Sequence, residues 1–170
     1  MNDEMIKTLA AKFVRFERLY LLSVMFPLVA FAGVYLRLGA SEELSNSLKG
    51  KHFFFVHLAF SILLTLGLLY QHTYMQNKQS YLMKLSDVEL QFDGMIKASQ
   101  IRFLMLMVGG LITAIALWWT KEQLYAGWYA VYLITTSSNR PTVLKWSEKL
   151  RLKGEAKEAF AKIYTANRTQ

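Results

Sequence analysis

Three histidines, His52, His57 and His72, lie on or beside one apolar segment of a chain that contains no cysteine. Imidazole ligates haem iron and contacts quinones, and a histidine inside a membrane span is a functional candidate by position alone. Ligation of haem by two histidines needs donors on facing helices. One chain with this placement does not supply that pair. A symmetric dimer could bring two copies of His57 together, or a methionine could be the other ligand, and haem or quinone contact at His57 is kept as a redox-anchor alternative. The simpler expectation is that His57 bonds a Ser, a Thr or a carbonyl of a neighbouring helix, with His52 and His72 at the two membrane interfaces. No cofactor and no metal site is expected.

Other chemistries close quickly. The missing cysteine excludes disulfides, thiol redox chemistry, iron–sulfur clusters and thiolate zinc sites. No His, Asp and Ser arrangement suggests hydrolysis, so no catalytic residue is assigned and the chain is read as non-enzymatic. The acidic group Asp87, Glu89 and Asp93 is explained by helix capping and the helix dipole. Ion-coupled transporters and proton pumps place Asp, Glu, Lys or Arg inside their spans, and none falls within the apolar segments here. The hydroxyls that do occur there, Ser23, Ser61, Thr65 and Thr113, can bond their own helix backbone.

What remains is packing and docking. Gly109, Gly110, Thr113 and Ala114 place small residues three and four apart on one segment, a pattern that admits a second helix at short range. Ala126, Gly127 and Ala130 on the next segment are the expected opposing surface. Near the C-terminus Trp146, Leu150, Leu152, Ala156, Ala159, Phe160 and Ile163 form an apolar strip among lysines, with Glu148, Glu155 and Glu158 interrupting it. Trp146, Leu150, Phe160 and Ile163 are its anchors for docking on lipid, on the rest of the chain or on a partner. The acidic interruptions favour protein over anionic lipid.

The elements that must carry these residues are four charge-free apolar segments. Leu19 to Leu36 is bounded by Arg18 and Arg37, Phe53 to Tyr70 contains His57, and Phe103 to Trp119 holds no ionisable residue. At about 1.5 Å per residue each can cross a hydrocarbon core of about 30 Å. Gln123 to Asn139 is shorter in its apolar part and is expected to span, with an interfacial segment as the alternative. Trp118, Trp119, Tyr125, Trp128 and Tyr129 surround the connection before it, where aromatic rings favour the headgroup level. Pro27 is expected to kink the first span.

Between the second and third spans, Tyr81, Leu85, Val88, Phe92 and Met95 recur by four and three, which is one helical face. Ser86-Asp87-Val88-Glu89 matches a capping box with Ser86 as the cap. The second span therefore continues as helix beyond the membrane, turns before Ser86, and returns from about Asp87 as one long helix, with a kink plausible at Gly94. Ahead of the first span Ile6, Leu9, Phe13 and Phe16 line one side of a basic segment, a helix lying on the membrane or an extension of the span. Pro141 suits the first position of a further helix.

Charge gives orientation. Lys7, Lys12, Arg15 and Arg18, then Lys78, Lys84, Lys97 and Arg102, then eight basic residues from Arg140 to Arg168 fall on one side; Arg37, Lys49, Lys51 and Lys121 fall on the other. The positive-inside rule puts both termini and the central connection in the cytoplasm. The net charge of +8 then reports topology and attraction to anionic headgroups, not nucleic-acid binding. The expected protein is all-α, with a four-span membrane domain over 1–140, a cytoplasmic helical hairpin at about 71–102 and an amphipathic basic C-terminal helix over 141–170. Its expected place is a bacterial inner membrane. Its expected role is a non-enzymatic subunit of a secretion, conjugation or respiratory assembly, in contact with the bilayer and with other membrane subunits or copies of itself. The alternative is a homo-oligomeric pore whose path runs between copies along Ser61, Thr65, Thr113 and the glycines of the third span.

Overall fold

A computed structural model describes residues 3–40 and 51–168. Six helices follow in order: α1 (Asp3–Ala40), α2 (Lys51–Leu82), α3 (Val88–Thr120), α4 (Leu124–Ser138), α5 (Val143–Lys149) and α6 (Gly154–Arg168). No strand occurs among the described residues. Lys49 and the His52 side chain, both assigned to the far interface from sequence, lie outside what is described, as do the side chains of Ala156 and Ala159.

Among the described residues three helices are long and apolar enough to cross a membrane, within Glu4–Ala40, Phe54–Leu82 and Val88–Thr120. The fourth expected span is α4, whose 15 residues reach only about 22 Å at about 1.5 Å per residue. Length alone does not make it a span.

The helix ends follow local chemistry. Asp87, one residue later than the expected cap, accepts the Glu89 amide through Oδ1 at 2.8 Å and starts α3. Both Ser86 and Asp87 are good caps, and the carboxylate adds its charge to the positive end of the dipole. The Gln91 side chain donates to the Leu82 and Leu85 carbonyls at 3.3 and 2.7 Å, satisfying acceptors that α2 leaves open. Gly94 lies inside an uninterrupted α3, and instead of a kink it provides room for the Leu82 methyls, which a Cβ there would strike. α3 stops where Lys121 turns left-handed (φ 57°) and its amide reaches the Leu117 carbonyl at 2.8 Å.

The N-terminal segment is a plain extension of α1 and not a separate surface helix. The tail is two helices, where one was expected. Thr142, not Pro141, begins α5, its hydroxyl accepting the Lys145 amide at 3.3 Å. α5 closes after two turns with Arg151 left-handed (φ 53°), the Arg151 amide on Glu148 O and the Leu152 amide on Ser147 O, each at 3.0 Å. That bond pair is a Schellman ending.

Contacts divide the chain into two compact units. The first gathers the chain up to Leu21, Thr73–Arg102 and the part from Arg140 onward; the second holds Leu22–His72 and Phe103–Asn139. The grouping follows contact and not chain order, so it crosses the sequence division at 140. In the first unit Leu9, Phe13, Phe16, Phe92, Met95, Trp146, Phe160 and Ile163 are buried. In the second the buried set is led by Leu64, Thr113, Ala116, Leu117 and Tyr125.

Candidate functional site

The second unit is organised by one face of α4. Tyr125, Tyr129, Tyr132 and Thr136, spaced four, three and four apart, are the buried residues of that helix. The Tyr132 ring lies over Gly109, where a Cβ would overlap its Cε1, Cζ and Oη atoms. Its hydroxyl donates to the Leu64 carbonyl on α2 at 3.0 Å. Tyr129 stacks on Phe31 of α1 with centroids 4.0 Å apart and planes 2° from parallel. The Tyr129 hydroxyl is buried with no protein partner among the described residues, so stacking is what holds this ring.

Tyr125 completes the face. Its hydroxyl lies 3.0 Å from Nδ1 of His57, and Phe60 packs edge-on against both Tyr125 and Trp119. His57 thus has a tyrosine on a neighbouring helix as one partner, a residue type not among those expected from sequence. The pairing removes two polar ends from a lipid solvent that could satisfy neither. Thr113 donates to Gly109 O at 2.8 Å and Thr65 to Ser61 O at 2.7 Å, so both hydroxyls are spent on their own helices.

Gly109, Gly110, Thr113 and Ala114 are buried together on α3. Gly110 brings the Pro27 ring of α1 close: a Cβ at Gly110 would lie 3.0 Å from Pro27 Cβ. The opposing surface on α4 is different from the one expected. Gly127 and Ala130 are exposed, and a Cβ at Gly127 meets nothing within 4 Å. The small residues of α3 receive large aromatic rings from α4, not matching small residues. The signal for this was present in the four-three-four spacing of Tyr125, Tyr129, Tyr132 and Thr136.

The first unit settles the tail strip. Trp146 and Leu150 are each 3% exposed, Phe160 and Ile163 each 0%. Trp146 meets Phe13, Phe16 and Phe92 at centroid distances of 5.3, 5.6 and 5.6 Å, and Phe160 meets Phe92 at 5.3 Å. All four anchors are buried in the core and offer no open docking face, with Trp146 packed on the N-terminal segment and the hairpin and Phe160 on the hairpin. Asp93, assigned to capping from sequence, instead binds Lys12 through both oxygens at 3.0 and 2.8 Å. Basic groups also converge in this unit. Desolvation first, then Arg102 and Lys145 nearby, hold the Lys149 ammonium below its usual range.

Among the described residues no three His, Asp or Glu side chains gather as a metal site. No family model, curated protein or solved structure matches this chain. The interactions of both units hold helices together.

Tyr132→Phe removes the bond to Leu64 O while keeping the ring over Gly109. Hydrogen bonds between membrane helices contribute about 0.6 kcal/mol on average and up to about 1.7. The variant is expected to unfold a few degrees below wild type in the same detergent, and an unchanged midpoint would show that the bond contributes nothing.

Proposed function

We propose that this chain is a non-enzymatic subunit of a larger assembly in a bacterial inner membrane, anchored by four spans and presenting a rigid cytoplasmic module to its partners. The observation that carries the reading is the aromatic core of the first unit. Phe13, Phe92, Trp146 and Phe160 come from three segments remote in sequence and pack into one cluster. Such a core orders chain outside the apolar segments, in a protein whose polar side chains serve packing and not chemistry.

The same core supports the topology. Phe13 precedes the first span, Phe92 follows the second, and Trp146 follows α4, and their rings touch. On this reading all three segments lie on one side of the membrane. With α3 leaving that side, only a return through α4 brings the chain back. The short α4 does so with the help of Gln123 and Asn139 at its ends, where its polar flanks meet the interfaces. The basic residues of all three segments support a cytoplasmic assignment for that side.

Docking is assigned to the hairpin tip in place of the tail. Tyr81, Met83 and Leu90 remain exposed there. Tyr81 lies eleven residues past Tyr70, about 16 Å along a helix, so acyl chains do not cover it. Exposed apolar side chains beyond the bilayer are what a partner surface requires. The pore alternative is disfavoured by Thr113, which is 0% exposed, and by Gly109 and Gly110, covered by Tyr132 and Pro27. A path between copies would need them open.

The test is purification of the tagged chain from its own membranes in mild detergent, followed by native mass. Foreign subunits in fixed ratio are expected, and Tyr81→Asp with Leu90→Asp should release them without lowering the chain's own unfolding midpoint. A lone chain or a pure homo-oligomer would sink the proposal.

A further inference from the structure

The second unit carries a groove of about 480 Å³ between α1 and α3. Ala30 and Gly33 line it from α1 and Ala114 from α3, and these small side chains are what leave it hollow. A Cβ at Gly33 would meet nothing within 4 Å. Arg37 and Trp118 stand at one end, Arg37 just past Leu36 where the first apolar segment closes and Trp118 one residue before the third segment ends at Trp119. A cation beside an indole at the end of a span marks the headgroup level. Val29 lines the other end, eight residues and about 12 Å deeper along the helix.

We infer that this groove holds one acyl chain of an anionic phospholipid, with its phosphate at Arg37. Depth selects this occupant. A single leaflet contributes about 15 Å of hydrocarbon, half of a core of about 30 Å. The groove runs from the headgroup level through most of that depth and then ends. Just below it, Gly110 admits Pro27 so closely that α1 and α3 meet. A helix from a second copy would need a path continuing through the other leaflet. A blind groove of one leaflet's depth suits a chain that enters from one surface and stops.

Charge selects the headgroup. The lining is apolar apart from the rim, where Arg37 places a guanidinium that pairs with phosphate in a forked geometry. Trp118 beside it supplies an amphipathic wall at the depth of the glycerol backbone. The inference goes beyond the subunit role and requires only that α1 and α3 lie in the bilayer. A monomer and an assembled complex would carry the site equally.

The experiment uses the full chain in nanodiscs of phosphatidylcholine doped with a phospholipid bearing a photoreactive diazirine in its acyl chain. One sample receives a phosphatidylglycerol probe and another a phosphatidylcholine probe, and adducts are mapped by mass spectrometry. The glycerol probe is expected to label Val34 and Ile115 about fivefold more than the choline probe, the factor expected for one cation beside an anionic headgroup. Gly33→Trp fills the groove and should abolish labelling there, and the open space at Gly33 lets the variant fold. Arg37→Gln should erase the preference between probes while leaving acyl labelling in place. Equal labelling by both probes, adducts spread evenly over exposed α2 residues such as Leu63 and Leu66, or labelling that survives Gly33→Trp would overturn the inference. Exclusion of both probes together with a dimeric native mass would give the groove to a second copy and overturn it as well.

Discussion

Phe92→Ala is expected to free the tail from the hairpin. Phe92 is 0% exposed and its ring meets Phe13, Trp146 and Phe160 at centroid distances of 6.3, 5.6 and 5.3 Å. Truncating a buried phenylalanine costs about 3–5 kcal/mol, through lost transfer energy and the cavity left behind. Trp146 and Phe160 also lose an edge-to-face partner and Phe13 a tilted one, each pair worth about 0.5–1.5 kcal/mol beyond area. A compact unit of this size has total stability of about 5–15 kcal/mol, so the loss is a large part of it. The readout is limited trypsin digestion at Arg151 and Lys153, which join α5 to α6. If opening precedes cutting, about 3 kcal/mol accelerates cleavage about a hundredfold. Leu90→Ala is the matched control on the same helix: Leu90 is 56% exposed and its loss should change cleavage little. Equal cleavage of both variants would mean that the aromatic cluster does not hold the tail.

That cluster also shows what a sequence of this kind conceals. The apolar strip of the tail was legible at Trp146, Leu150, Phe160 and Ile163, because one-sided periodicity is local information. What covers the strip was not. Burial against a partner, against lipid and against the chain's own Phe13 and Phe92 all demand the same pattern, and the deciding contacts join residues as remote as Phe13 and Trp146. The break between α5 and α6 was hidden for a different reason. Arg151 adopts a left-handed backbone that arginine disfavours by about 1–2 kcal/mol, so its residue type gave no warning.

The long helices read best. Their apolar length exceeds what any soluble packing needs, and the continuation of α2 to Leu82 and the start of α3 at Val88 followed from periodicity plus a capping signal. The shift of the cap from Ser86 to Asp87 is within the precision of such signals. The glycine stripe of α3 is legible in its spacing, yet spacing alone pairs it with Ala126, Gly127 and Ala130. Small-to-small matching is one solution for close helices. Here the rings of α4 fill the notch instead, and only the helical phase of Tyr125, Tyr129 and Tyr132 distinguishes the two.

Gly109→Ala and Gly127→Ala are therefore expected to act in opposite directions. Both glycines lie in helix interiors, where alanine is preferred by about 0.5–1 kcal/mol if space allows. At Gly127 a Cβ meets nothing within 4 Å, so the substitution should be neutral or stabilise by that amount. At Gly109 the new methyl overlaps the Tyr132 ring. The ring cannot swing aside cheaply, because its hydroxyl is tied to Leu64 O at 3.0 Å and the side chain is 4% exposed. Overpacking costs about 1–3 kcal/mol, and displacing the ring adds the lost hydrogen bond, about 0.6 kcal/mol in membranes. α4 is the shortest membrane-embedded helix in the proposed topology, and this face is its attachment. Gly109→Leu should accordingly prevent α4 from seating at all. The measurement is the unfolding midpoint of each variant in one detergent, with Gly109→Ala/Tyr132→Leu as the rescue, since a smaller side chain at 132 restores room for the methyl. The double variant should recover stability relative to Gly109→Ala even though Tyr132→Leu alone loses it. Additive losses would mean that the methyl and the ring never met, and that α4 packs on α3 through some other face.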